Sequence, residues 1–166
     1  MASDEKAGSL LRVLVASRSN GRFLELGTGI GASLCWMLDG MDKGSSIISI
    51  DNDPELISVS EKLFGKDSRL SLLCEDGAQW IKSYQGVPFD LVFADAWPGK
   101  YSLLEETLDL IKPGGFYVID DMLPQPNWPD GHAEKASILL EHLAQRKDLV
   151  SSTLEWSTGV IVCTRI

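Results

Sequence analysis

An apolar run, Phe116 to Ile119, ends in two adjacent aspartates, Asp120 and Asp121, and a proline-rich segment with Trp128 and His132 follows. Two like charges at the mouth of a buried strand either make a turn, a position aspartates favour, or hold something positive. Asp95 ends a second apolar run, and Trp97 stands two residues beyond it. Carboxylates supply the oxygen ligands that suit a hard divalent cation, and they also act as general bases. His132 is one of only two histidines and the side chain whose charge changes nearest neutral pH. It is a base or ligand candidate, whereas His142 lies within a helical pattern and reads as surface.

A second constellation lies earlier. Gly27, Gly29 and Gly31 follow the short apolar run 22–26, and alternating glycines let a chain turn tightly and bring its backbone close to a ligand. Asp51 comes about 20 residues later, the place of an acid that accepts from both hydroxyls of a ribose. Together they imply an adenosine-type cofactor. Gly27, Gly29 and Ala32 also fit the dinucleotide pattern G-x-G-x-x-G/A. Glu25 opposes that fit: an anion there repels a pyrophosphate and suits an ammonium group.

These residues need strands to present them. Runs at 22–26, 46–51, 69–74, 89–95 and 116–120 read as strands, with helices predicted over 5–17, after Ala32, after Asp53-Pro54, near 78–84, over 101–111 and over 132–146. Asp53 is placed as an N-cap with Pro54 at the first helical position. Lys112-Pro113-Gly114-Gly115 reads as a helix breaker. Two closing strands, 149–157 and 160–165, are joined at Thr158-Gly159 and must pair antiparallel. The expected fold is α/β: a doubly wound, mostly parallel seven-stranded sheet with a C-terminal antiparallel hairpin. Residues 1–166 form one domain, 1–20 a short N-terminal helix and 21–166 the core. Ligands in such folds sit outside the carboxyl ends of the strands, which is where both constellations fall.

The formal net charge is −9, with 15 basic against 24 acidic residues, which argues against nucleic acid as a partner. No apolar run approaches the roughly 20 residues of a membrane-spanning helix. Cys35, Cys74 and Cys163 lack a paired spacing, so they read as buried thiols in a reducing cytosol, and a cytoplasmic location is expected.

The run E-x-G-x-G-x-G at 25–31 resembles motif I of the class I S-adenosylmethionine (SAM) dependent methyltransferases. "SIISIDNDPELI", "CEDGAQWI", "FDLVFADAWPGKY" and "LIKPGGFYVIDDML" follow in the order that family shows. The terminal hairpin also resembles this family rather than a nicotinamide domain. The resemblance implies a Rossmann-like methyltransferase fold and a SAM site formed by Glu25, Gly27, Thr28, Gly29, Gly31, Ser33, Asp51, Asn52, Asp76, Gly77, Ala78, Asp95 and Trp97. Asp76, Gly77 and Ala78 would flank the adenine.

Within the superfamily the chain is similar to the small catechol and caffeoyl-CoA type O-methyltransferases. That similarity implies Asp95, Asp120 and Asp121 as ligands of Mg²⁺ or another divalent cation, and Asp95, Asp120, Asp121 and His132 as the catalytic set. The acceptor would be a small hydroxylated molecule. Two departures stand out: Pro98 occupies the place of the family lysine, with Lys100 nearby and Tyr101 matching, and Asp121 replaces the usual asparagine. The added charge leaves three readings open: tighter divalent binding, one proton shared among the acids, or a general base without metal. An N- or RNA-directed methyltransferase, a SAM-binding protein without catalysis and a nicotinamide-dependent oxidoreductase are the alternatives. About 20 residues precede motif I, fewer than in catechol-type relatives, so the acceptor pocket is either open or completed by the second subunit of a homodimer.

Overall fold

Alternating apolar strands and amphipathic helices give the protein its layers, described over residues 4–156 and 158–166 in a computed structural model. In chain order the elements are α1 (Glu5–Ala16), β1 (Arg22–Leu26), α2 (Ala32–Gly40), β2 (Ser46–Asp51), α3 (Pro54–Phe64), β3 (Leu70–Cys74) and α4 (Gly77–Ser83). There follow β4 (Phe89–Ala94), α5 (Leu104–Asp109), β5 (Ile111–Ile119), α6 (His132–Gln145), β6 (Leu149–Leu154) and β7 (Val160–Arg165). The strands form one sheet of order β3-β2-β1-β4-β5-β7-β6. β1 to β5 are mutually parallel, and β7 runs antiparallel to both β5 and β6. The expected α/β sheet with its terminal hairpin is the one found.

Alternation along the central strands builds two cores. Leu24 and Leu26 of β1, Val92 and Ala94 of β4, and Tyr117 and Ile119 of β5 pack on the α4–α5–α6 face. Phe23, Leu91, Phe93 and Val118 face the other way, onto α1 and α2 through Leu11, Val15, Leu34 and Met37. Strands β1 to β3 are laid down outward on one side and β4 and β5 on the other, where β7 is then set between β5 and β6. The switch point therefore lies between β1 and β4, and their carboxyl ends open a crevice there.

Caps form as their residue types dictate. Asp53 accepts from the backbone N–H groups of Glu55 and Leu56, with Pro54 in the first turn of α3. Asp76 accepts from the N–H of Gln79 and starts α4. Four sequence expectations change. The helix expected over 101–111 covers only Leu104–Asp109, because residues 97–103 fold into a tight turn with a bridge between Pro98 and Ser102. Lys112 to Gly115 does not break a helix; it is an irregularity inside β5, whose pairing passes from Phe89↔Ile111 directly to Leu91↔Phe116. Of the three cysteines only Cys163 is buried; Cys35 and Cys74 lie exposed. Strand β6 ends at Leu154 rather than 157, and Ser157 itself lies outside the described residues.

No helix among the described residues is long and apolar enough to cross a membrane.

Candidate active site

The glycine loop after β1 forms the floor of the first cleft. Gly27 has φ +100, and a Cβ there would stand 2.8 Å from the carbonyl oxygen of Asp95. Only glycine fits both the backbone and the space. Gly27→Ala is expected to destabilise the fold by about 1–2 kcal/mol from the left-handed backbone alone, with the contact adding to it; the urea unfolding midpoint reads this out. The Gly29 N–H donates to the Asp51 carboxylate at 2.8 Å, and the Asp53 N–H donates to its other oxygen at 3.0 Å. Asp51 thus locks the loop from the end of β2 while keeping lone pairs for a ligand.

The cleft, of about 200 Å³, is lined by Gly27, Asp51, Asn52, Asp76, Gly77 and Trp97, with Leu26, Ile50, Ala96 and Pro98 completing the wall. Six of the residues expected to bind the cofactor are therefore brought together. No lysine or arginine lines it, and two aspartates do, an environment that favours cationic groups over a pyrophosphate.

Four expected contacts are corrected. Glu25 is fully buried. It shares strand parity with Phe23, so its side chain points under α2 rather than out of the strand end. There its oxygens accept from the hydroxyls of Ser33 and Ser49, both at 2.5 Å. Thr28 is buried too, its hydroxyl 2.6 Å from that of Ser49. Glu25, Thr28 and Ser33 brace the loop from below and do not face the cleft. Burial pushes the Glu25 carboxyl up to about 7 against the pull of the two hydroxyls. Ala78, in the first turn of α4, does not line the cleft either.

A second cleft, of about 230 Å³, adjoins the first. Asp95, Lys100, Tyr101, Asp121, Asn127, Trp128 and His132 line it, and it shares Ala96 and Trp97 with its neighbour. Strand pairing brings Asp95 and Asp120 side by side, each one residue past the pair Ala94↔Ile119. His132 opens α6 behind Gly131. Its ring sits 4.4 Å from Trp128, 5.1 Å from Tyr101 and 6.0 Å from Trp97, centroid to centroid. Its Nε2 lies 3.2 Å from the Tyr101 hydroxyl. Desolvation, with the nearby charges of Lys100 and Lys135, holds the imidazole below its ordinary value, so it is neutral at pH 7. Burial and the charges of Asp120 and Asp121 push Asp95 up to about 8. Burial also raises Asp120.

The three aspartates do not assemble as a ligand set for Mg²⁺. Asp120 is buried, and its Oδ1 accepts from the Thr158 hydroxyl at 2.7 Å and the Asp121 N–H at 2.8 Å. The positive charge among them is the buried ammonium of Lys100, which donates to the Asp120 carbonyl oxygen. Among the described residues no group of three or more His, Cys, Asp or Glu side chains is arranged to hold a metal. The expectation of a divalent site at Asp95, Asp120 and Asp121 is thus not met by their geometry.

Neither Ser49 nor Thr158 stands out as a site residue in the sequence, and Lys100 is there only a neighbour of the family lysine's position. The Pro98-Gly99 pair before Lys100 was the available signal, since it marks a sharp turn able to redirect the next side chain. Ser49 faces Glu25 only through the β1–β2 register.

Residues 24–122, more than half of the chain, match the family described as methyltransferase domain. The chain belongs to that family. Among its relatives, a Mycobacterium avium (strain 104) protein named "Putative O-methyltransferase" is 30% identical over 117 residues, 68% of this chain and 53% of its own length. The methyltransferase domain thus spans about half the length of the first curated relatives it matches. A Mycobacterium bovis (strain BCG / Pasteur 1173P2) protein of the same name is 31% identical over 169 residues, covering 95% of this chain and 75% of the relative. Among solved structures, the O-methyltransferase TomG from Streptomyces achromogenes, in complex with SAM, superposes with a TM-score of 0.83 at 23% identity, over 99% of this chain and 81% of that one. The O-methyltransferase from Bacillus cereus, in complex with SAH, gives 0.82 at 20% identity, over 99% and 82%. These superpositions show that the methyltransferase domain has their fold. Asp95, Asp120 and Asp121 fall inside the family match; His132 lies beyond it.

Proposed function

We propose that this methyltransferase domain transfers the methyl group of SAM to a hydroxyl of a small acceptor. The observation that carries the reading is the shared wall: an acidic cleft behind the glycine loop and an aromatic, carboxylate-bearing cleft meet at Ala96 and Trp97. SAM supplies an electrophilic methyl on a cationic sulfur. Asp51 would accept from the ribose hydroxyls, Asp76 and Gly77 would flank the adenine, and Gly27 lets the backbone approach. The relatives' printed names and the SAM- and SAH-bound neighbours support this assignment.

In the acceptor cleft Trp97, Tyr101, Trp128 and His132 form an aromatic wall suited to a flat, hydroxylated molecule. Asp95 takes the acceptor proton, since a base held near the working pH is the effective one. Asp120 is unsuited to that role: it is buried, it does not line the cleft, and its Oδ1 is held by the Thr158 hydroxyl and the Asp121 amide. Catalysis then rests on positioning the oxygen against the methyl group and on the charges around it.

Calorimetric titration with SAM and with NAD, followed by methyl-transfer assays over a panel of phenols, tests the proposal. SAM is expected to bind and NAD not. Tight NAD binding, or SAM binding without transfer to any hydroxyl, would overturn it.

A further inference from the structure

The tight turn after Trp97 delivers a lysine to the ends of β4 and β5. The Trp97 carbonyl accepts from the N–H groups of Lys100 at 3.3 Å and Tyr101 at 3.0 Å, and the Gly99 N–H donates to Ser102 at 2.8 Å. Gly99 sits at φ +87, where a Cβ would meet Leu26 at 2.4 Å. The buried Tyr117 hydroxyl donates to the Gly99 carbonyl at 2.5 Å and pins the turn from beneath. Lys100 emerges with its ammonium donating to the carbonyl oxygen of Asp120 and, at 3.4 Å, to that of Asp121. Asp121 adopts φ +57 at this point, a left-handed backbone state that aspartate takes more readily than most residues other than glycine. Lys100 also lines the acceptor cleft.

This ammonium lies among Asp95, Asp120 and Asp121, the acids that resemble a divalent-cation site in sequence. A lysine ammonium has three donors and no acceptor, and two of them go to the carbonyls. We propose that Lys100 is the resident cation of the acceptor site: it neutralises the acid cluster, gives its remaining N–H to the acceptor oxygen, and keeps divalent metal out. The inference rests on the reading of this cleft as the acceptor site, and its test does not need that reading to succeed.

The test is a Mn²⁺ titration of cofactor-free protein, followed by the electron paramagnetic resonance of free Mn²⁺ and by thermal unfolding. Wild type and Lys100→Arg are expected to leave Mn²⁺ free and to show unchanged Tm. Lys100→Met keeps the chain length and removes the charge. It is expected to bind Mn²⁺ at least about tenfold more tightly than wild type, because a divalent ion no longer meets an ammonium a few ångströms away. Its Tm should fall without metal and rise with Mn²⁺. Stoichiometric Mn²⁺ binding by wild type overturns the proposal, and so does a Lys100→Met protein that binds no more tightly than wild type. If Lys100→Met folds only with Mn²⁺, one cation has replaced the other, as proposed; if it stays unfolded with Mn²⁺, the exchange fails. Where SAM binds, methyl transfer by wild type should persist in a chelator. Failure of transfer under all conditions counts against the methyltransferase reading and leaves the Mn²⁺ result decisive for Lys100.

Discussion

Asp95→Asn is expected to give a protein that is more stable at pH 7 and nearly inactive in methyl transfer. The Asp95 carboxyl is pushed from 3.8 to about 8 by burial and by two neighbouring carboxylates. Between those values the folded chain holds a proton that the unfolded chain has released. Stability therefore falls as pH rises through that window and levels off above about 8. At roughly 1.4 kcal/mol per pH unit, retaining that proton in the folded chain costs on the order of a few kcal/mol of stability at pH 7. Asparagine carries no such cost. Activity should drop by about 10²–10⁴-fold, the usual contribution of a positioned base. SAM affinity should stay within a few-fold, because Asp95 lines the acceptor cleft and not the cofactor cleft. Denaturant midpoints at pH 5 and pH 7, with kcat and calorimetric SAM binding, check the three parts. Full activity in the variant would remove Asp95 from the reaction.

The second large effect comes from Glu25. Its carboxyl is raised from 4.5 to about 7, again by burial first, so its contribution to stability also declines as pH rises from about 4.5 to 7. Asp42, Asp67, Asp90, Glu105 and Asp148 are held below their ordinary values by hydrogen bonds and ion pairs. The stability they add is present above about 4 and is lost only in stronger acid. His132, held low, opposes the trend below about 6.5, where the unfolded chain takes up a proton more readily. Greatest stability should accordingly lie near pH 5, on the acid side of neutral. Glu25→Gln is expected to raise stability at pH 8 by on the order of 2–3 kcal/mol and to flatten the slope between pH 5 and 7. The amide oxygen can still accept from one serine while the NH₂ group donates to the other. Thermal unfolding of both proteins across pH 4–9 decides it; a variant less stable than wild type at pH 8 would show that the hydrogen bonds to Ser33 and Ser49 need the full carboxylate.

Strand runs, the glycine loop and the caps at Asp53 and Asp76 were legible in the sequence because each depends on local periodicity or on a residue's own backbone preference. The carboxyl-end placement of Asp51, Asp95 and Asp120 followed from the doubly wound topology. What escaped was side-chain direction. Glu25 follows the parity of Phe23 into the space beneath α2, and nothing at position 25 alone says which face will be covered. Asp120 turns to Thr158, a residue 38 positions away, so its partner exists only once β7 has paired with β5. Lys100 stands two residues from where a family lysine belongs, and the count of residues places it only nearby. A turn built on Gly99 and pinned by Tyr117 carries it into the cluster regardless, because position in space is set by the fold of the loop and not by the count of residues.

With only 2.8 Å between a Cβ placed on Gly27 and the Asp95 carbonyl oxygen, there is no slack between the two halves of the site. Ala96 and Trp97 serve both clefts, so any change on that side is felt by both ligands at once. The opposite wall has no such double duty: Asn127, Trp128 and His132 touch the second cleft alone. On the proposed reading, a lineage under pressure to accept a new substrate can therefore rewrite the stretch between β5 and α6 and leave the first cleft unchanged. For the same reason, exchanging residues 122–132 between relatives is the shortest route to an altered preference, and the joint at Gly27 is the place where tinkering should be punished first.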